Sequence, residues 1–380
     1  MKAVSEQGQF DNRFMYYFLA NIIEIGNAAI EKLDDNISVL SDLLYMEEID
    51  IRSFDFLDNN QVEAIIRMRE RVEEIYENYM LLSESDIRFI TYNDNDYPVR
   101  LKNIHTPPRI LFVKGDLPEA DKPSVSIVGS RGCTNYGQQM TEYMAEELAS
   151  EGVNIISGLA IGIDAAAHRG CLRAENGRTF AVVGTGVNVC YPRQNYYLFK
   201  AMAEDGRGGV ISELMPGHNP LAHHFPTRNR IISGLSDIVV VAEAREKSGS
   251  LITADFAIQQ NRELMAIPGR VTDPLSIGCN QLIQQGAGVL LKPSDIITAL
   301  GLICRKEIIV RPENVNMLAN DEKIVYSTLD LHPKYIGEII DAVKMDYSTV
   351  VRILFDLEIK GLITQLSGNY YGIIKKSDYR

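Results

Sequence analysis

No uninterrupted apolar run in the 380 residues approaches the roughly 18 that a membrane span requires, and the opening MKAVSEQGQFDNRF has no apolar core of the secretory kind. A soluble, intracellular, cytoplasmic protein is expected. The five cysteines, Cys133, Cys171, Cys190, Cys279 and Cys304, are odd in number and widely separated, with no CxxC and no paired Cys/His spacing. That excludes a disulfide framework and a structural zinc, and no metal site is expected. No Gly-Lys pair occurs anywhere, so a P-loop is excluded, and with it the usual ATPase. Acidic residues are also missing from one place. Between Leu214 and Ser236 there is no Asp or Glu, while Arg228, Arg230, His218, His223 and His224 all fall there.

That window matters because the chain as a whole is acidic, with formal charge −13 and pI near 5.0. Evenly spread, such a charge argues against a nucleic-acid partner. It is not evenly spread: residues 1 to 100 hold 9 Lys+Arg against 21 Asp+Glu, whereas residues 101 to 314 hold 21 of each. The acidity belongs to the first hundred residues, where it reads as a solvated face.

Three regions follow from the patterning, in a length that suits two or three domains. Residues 1–93 read as a helical domain, with YYFLANIIEI, SVLSDLLYM and the long pattern NNQVEAIIRMRERVEEIYENYMLL at helical spacing. Residues 94–305 open on a Pro-rich boundary segment and then repeat apolar run, glycine turn and amphipathic helix. This rhythm predicts an α/β fold, a mainly parallel sheet with helices on both faces, whose binding edge lies at the carboxyl ends of the strands. After a linker around Arg305 to Leu318, residues 315–380 read as three short helices and two strands around a Ser-Gly-Asn turn, a winged-helix domain. Its third helix balances Arg352 and Lys360 against Asp356 and Glu358. That balance suits a packing or protein-interaction module better than a phosphate reader.

Five glycine turns punctuate the central region: GSRG (Gly129 to Gly132), SGLAIGID (Ser157 to Asp164), GTG (Gly184 to Gly186), SGS (Ser248 to Ser250) and GCN (Gly278 to Asn280). Glycine lets backbone approach a phosphate, and first-turn N–H groups of a helix point at the anion. Together, with Ser130, Arg131, Ser248 and Ser250 as donors, they predict a phosphate-binding edge. GTGVNV lacks the third glycine of a dinucleotide fingerprint, so no cofactor is expected. In FPTRNRIISGLSD, Phe225 to Asp237, two arginines stand where a helix begins, against the sign of its dipole. An anion would reverse that penalty, and pairing with Asp237, Glu213 or Glu243 is the alternative. Phe225 beside them, and Tyr136, Tyr191, Tyr196 and Tyr197 near other turns, supply rings on which single-stranded bases stack. Asp164 and His168 are one turn apart. They read either as an acid/base pair or as a helix cap and a histidine held beneath the loop.

The motifs GSR at 129, SGLAIGIDAAAH at 157, GTGVNVCYPRQN at 184, HFPTRNRIISGLSD at 224, SGSLITADFA at 248, IPGR at 267 and GCNQLIQQGA at 278 resemble, in order and spacing, those of the DNA-processing protein A family (DprA, also called Smf). The resemblance covers about residues 95 to 300, and the flanking regions are similar to that family's SAM-like and variable C-terminal domains. It implies an extended Rossmann-like sheet that dimerises and no catalytic activity. It also implies binding and protection of single-stranded DNA and loading of the recombinase RecA onto it, notably in natural transformation. Carried over by motif, the DNA site comprises Gly129, Ser130, Arg131, Phe225, Arg228, Asn229, Arg230, Ser248, Gly249, Ser250 and Asn280, with Asp164 and His168 structural. The competing expectation is a nucleotide phosphoribohydrolase of the lysine-decarboxylase-like family. Its Pro-Gly-Gly turn and catalytic glutamate are replaced here by IPGRVTD.

Overall fold

Strand-forming runs buried on both faces are the organising feature. Ser124–Val128, Asn154–Ser157, Thr179–Val182 and Ile238–Val241 are buried at every position, the signature of parallel strands covered by helices above and below. In the computed structural model, which describes residues 10–82, 84–302, 318–329, 334–360, 362–366 and 369–373, these runs lie in one nine-stranded sheet. In chain order its strands are β1 (Ile87–Thr91), β2 (Ile110–Gly115), β3 (Ser124–Val128), β4 (Asn154–Ser157), β5 (Thr179–Val182), β6 (Gly208–Ser212), β7 (Ile238–Val241), β8 (Glu263–Ala266) and β9 (Gly288–Val289).

The spatial order is β1-β2-β6-β5-β4-β3-β7-β8-β9. From β6 to β9 every pair is parallel, while β2 runs antiparallel to both β6 and β1. The chain works outward from β3 in one direction through β4 and β5, then returns to place β7 on β3's other side. The strand order reverses between β3 and β7, and in such sheets the crevice outside the strands' carboxyl ends at that reversal is where ligands bind.

The expected boundary after residue 93 falls beyond a strand of this sheet. β1 pairs along its whole length with β2, from Ile87 opposite Lys114 to Thr91 opposite Ile110. Aromatic packing makes the connection: Tyr17, on the helix Asn12–Ala20, meets Phe89 and Phe112 edge-on at 5.6 and 6.3 Å. Residues 1–305 therefore cluster as one compact unit and 306–380 as another. The long pattern at 59–82 is two helices, Asn59–Arg69 and Val72–Leu82, and at the break the Arg69 side chain donates to the carbonyls of Leu43 and Met46. Both keep apolar residues toward one core, so the periodicity runs through the break.

In the second unit the helices Asn320–Thr328, Ile336–Val343 and Tyr347–Ile359 pack around Val325, Ile339, Ile353 and Leu357, with strands Ile363–Leu366 and Tyr370–Ile373 antiparallel. A two-residue strand, Lys334–Tyr335, pairs with the last of these. The expected linker lies, up to residue 317, outside the described residues, as do Ser367 and Gly368 of the expected turn.

Candidate nucleic-acid interface

A cleft of about 610 Å³ opens at the β3/β7 reversal. Two strand-to-helix turns make its walls. After β3, Gly129, Ser130 and Arg131 form one side; after β7, Lys247, Ser248, Gly249 and Ser250 form the other, leading into the helix Gly249–Gln259. Backbone stitches hold them at fixed separation: the Ser130 N–H donates to the Glu243 carbonyl at 2.8 Å, and the Ile163 N–H to the Ser130 carbonyl at 3.2 Å. Ser248 caps the second helix, its hydroxyl accepting from the Ser250 N–H. The first N–H groups of that helix have no intrahelical acceptor and make its electropositive end.

The helix His224–Gly234 closes the cleft and carries the stretch FPTRNR. It begins at His224, earlier than its sequence suggests, so Arg228 and Arg230 stand beyond its first turn, where the dipole has largely faded. They then part company, because residues two apart on a helix point to different sides. Arg228 lines the cleft, whereas Arg230 turns away into a bidentate pair with Glu213, at 2.8 and 2.5 Å, and donates to the Thr106 carbonyl at 3.0 Å. Arg230 is thus removed from the cleft and belongs to the fold. Glu213 is gripped from its other side by Asn27, whose amide donates to it at 3.1 Å. The first helical region is thereby tied to the helix that bears Phe225.

Arg228 is the buried cation of the site. Its Nη1 donates to the Val182 carbonyl at the end of β5, at 2.6 Å, and its Nε has no partner among the described residues. Burial lowers its pKa to about 10 even with Asp164 nearby to favour the charged form. Gly158 is glycine for this reason, since any side chain there would collide with the guanidinium. Asp164 does not cap its helix; that place is taken by Gly162. Its buried carboxylate instead accepts from the Ala160 N–H and faces Arg228, with burial raising its pKa.

Phe225 is half-buried. Arg131 stacks over one side of its ring, guanidinium carbon 5.5 Å from the centroid, and Tyr191 lies 5.8 Å from it on a tilted plane. A smaller notch of about 130 Å³ continues the cleft beyond Phe225, between Gly158, Ile161, Pro192 and Gln194. Asn229 donates across the cleft to the Gly249 carbonyl at 3.3 Å.

Residues 88–301 match the family model described as DNA recombination-mediator protein A. Over 319 residues the chain is 35% identical to protein Smf of Synechocystis sp., covering 82% of this chain and 78% of that one. The chain belongs to the DNA recombination-mediator protein A family. Its fold is also that of DNA processing protein A from Streptococcus pneumoniae, with TM-score 0.64 and 35% identity over 76% of this chain and 97% of that one. The Helicobacter pylori protein of the same name, whose structure was solved for its single-stranded DNA binding mode, matches with TM-score 0.50 and 30% identity, over 56% of this chain and 95% of that one.

In this recombination-mediator protein the cleft collects nine of the residues that the motifs nominate, Gly129, Ser130, Arg131, Phe225, Arg228, Asn229, Ser248, Gly249 and Ser250, and leaves two outside. Arg230 is one. Asn280 is the other: its amide bonds both ways to Gly269, accepting at 3.2 Å and donating at 3.1 Å, and so fixes the IPGR turn. Nor do all five turns form one phosphate edge. Gly184 packs against the Phe225 ring and Gly186 against the backbone of Met215 and Gly217, while Gly278 packs on Ala244 and Arg245.

Two cations of the cleft are absent from the motif reading, Arg245 and Lys247. In AEAREK they alternate with Glu243 and Glu246, and the segment reads as neutral. Folding separates them. Glu243 is buried, accepting from the N–H of Thr134 at 2.8 Å and from its hydroxyl at 2.5 Å, whereas Arg245 and Lys247 stay exposed. Among the described residues neither they nor Arg131 forms an ion pair, and Asp164 is the sole carboxylate lining the cleft.

His168 takes no part in the cleft. Its Nδ1 sits 2.7 Å from the Thr179 hydroxyl, the side chain is fully buried, and burial lowers its pKa to about 3. The unfolded chain takes up this proton below about pH 6.5 while the native state does not. Stability from His168 is therefore complete above pH 6.5 and falls, by about 1.4 kcal/mol per pH unit, down toward pH 3. Urea titrations from pH 7 to 5 should show this slope in the natural protein and its loss in His168→Gln; equal slopes in both would contradict it.

Proposed function

We propose that the protein binds single-stranded DNA along this cleft, shields it and presents it to the RecA recombinase, working as a dimer through its Rossmann-like domain and catalysing no reaction. The observation that carries this reading is the pairing of unneutralised cations with an accessible ring. Arg131, Arg245 and Lys247 line one open groove around Phe225. Phosphates of a flexible strand reach the cations and the turn amides while a base stacks on the ring, a division of labour suited to single strands. In a duplex the bases already stack on each other and leave Phe225 nothing to bind. The Helicobacter pylori relative, studied for binding single-stranded DNA, supports the same ligand here.

The phosphoribohydrolase alternative needs a carboxylate free to work at a glycosidic bond. The one candidate in the cleft, Asp164, is buried, accepts from Ala160 and faces Arg228. A gel-shift titration of oligo-dT against duplex of equal length, without ATP or metal, tests the proposal. Preferential binding of the single strand is expected, with Phe225→Ala weakening it by about 1 to 3 kcal/mol. Equal affinity for duplex, or release of a base from a nucleoside monophosphate, would overturn it.

A further inference from the structure

The helix Tyr347–Ile359 has two apolar faces. One, formed by Val350, Ile353, Leu354 and Leu357, is buried in its own unit. The other repeats every fourth residue, Tyr347, Val351, Phe355 and Ile359; Tyr347, Phe355 and Ile359 are 60%, 60% and 69% exposed, while Val351 is half-buried against the unit's own core. Side chains four apart form one row along a helix, so the three exposed side chains, with the half-buried Val351 between them, make an apolar ridge on the surface of the unit. It is unsuited to reading phosphates. Lys360, at the end of the helix, is held by both oxygens of Glu322 at 2.7 Å, and the remaining cation, Arg352, is followed one turn later by Asp356.

We propose that this ridge pairs with the same ridge on a second copy of the chain, the two helices antiparallel about a two-fold axis. The pattern is self-complementary in that arrangement. The ridge is centred on residue 353, so reversal sets Tyr347 against Ile359 and Val351 against Phe355 of the second copy. In a two-fold pair the same flank of each helix meets the other. The flank bearing Arg352 and Asp356 then places each arginine beside the other copy's aspartate, giving two reciprocal ion pairs. Neither Arg352 nor Asp356 forms an ion pair within the described residues. One helix on one helix falls well short of the ~1,200 Å² of a stable interface, so the pairing is weak alone. It gains strength when two copies are already held close, through their effective concentration.

Sedimentation equilibrium of the full-length protein from micromolar to near-millimolar concentration tests this, and the step to follow is whichever one the charge reversals move. Arg352→Asp or Asp356→Arg alone is expected to weaken self-association about tenfold. An equimolar mixture of the two single variants should recover it, because each copy then meets the opposite sign. Phe355→Glu should abolish the step without unfolding the unit, since that side chain is exposed. Association indifferent to all three substitutions, its absence in the natural protein, or no recovery on mixing would overturn the proposal and assign the ridge to another part of the chain or to a different protein.

Discussion

Replacing Arg131, Arg245 and Lys247 together with alanine is expected to weaken oligo-dT binding by about 100-fold near 0.1 M salt and to flatten its salt dependence. For single strands each phosphate neutralised by a cation contributes about −0.7 to the slope of log K against log salt, so three lost contacts should reduce the slope by about 2. The salt slope is the clean readout, because all three side chains are exposed and none forms an ion pair among the described residues, while Arg131 also stacks on Phe225. Their removal leaves no buried group without a partner, and thermal stability should change little. Arg228 offers no such clarity: it is buried against the Val182 carbonyl and Asp164, so its loss disturbs the fold along with the site. Fluorescence anisotropy at four or five salt concentrations gives both quantities. An unchanged slope in the triple variant would place the DNA elsewhere on the protein.

Arg230→Ala is expected to act in the opposite way, costing about 3 to 5 kcal/mol of stability with little effect on the salt slope. The guanidinium and Glu213 side chains are 6% and 14% exposed, and removing one partner strands the other charge in the interior. The loss also cuts the link from Asn27 through Glu213 to Arg230, loosening the first helical region from the helix that carries Phe225. Substituting both partners by apolar residues of similar size, Arg230→Met with Glu213→Leu, should recover much of the stability, since no lone charge is then buried. Urea denaturation of the single and double variants checks this. If Arg230→Ala were as stable as the natural protein but bound DNA with a slope lower by about 0.7, the arginine would be a phosphate ligand after all.

The cleft was partly legible in the sequence because its walls are local. GSR and SGS each follow a strand at its carboxyl end, and such a turn at the start of a helix exposes its amides whatever lies around it. The arginines of RNR were harder to read. A spacing of two on a helix guarantees that they diverge but does not say which one faces the ligand; Glu213, seventeen residues away in the chain, captures Arg230. Arg245 and Lys247 were hidden by Glu243 and Glu246 beside them, because a linear count cannot tell an inward Glu243 from an outward one. The strand Ile87–Thr91 was masked in the same way: IRFIT carries too little alternation to stand apart from the helices before it until β2 pairs with it.

What the sequence alone determined is the alternation of strand and helix, the strand runs apolar on both faces, the two glycine-rich walls and the ring that separates them, since each depends on residues within one turn or one strand of each other. Only the tertiary structure decided which strands flank the reversal, which cations remain without a carboxylate, and which glycine turns are packing joints. Those outcomes depend on contacts between residues tens of positions apart. Burial then makes every charge find a partner or stay in water.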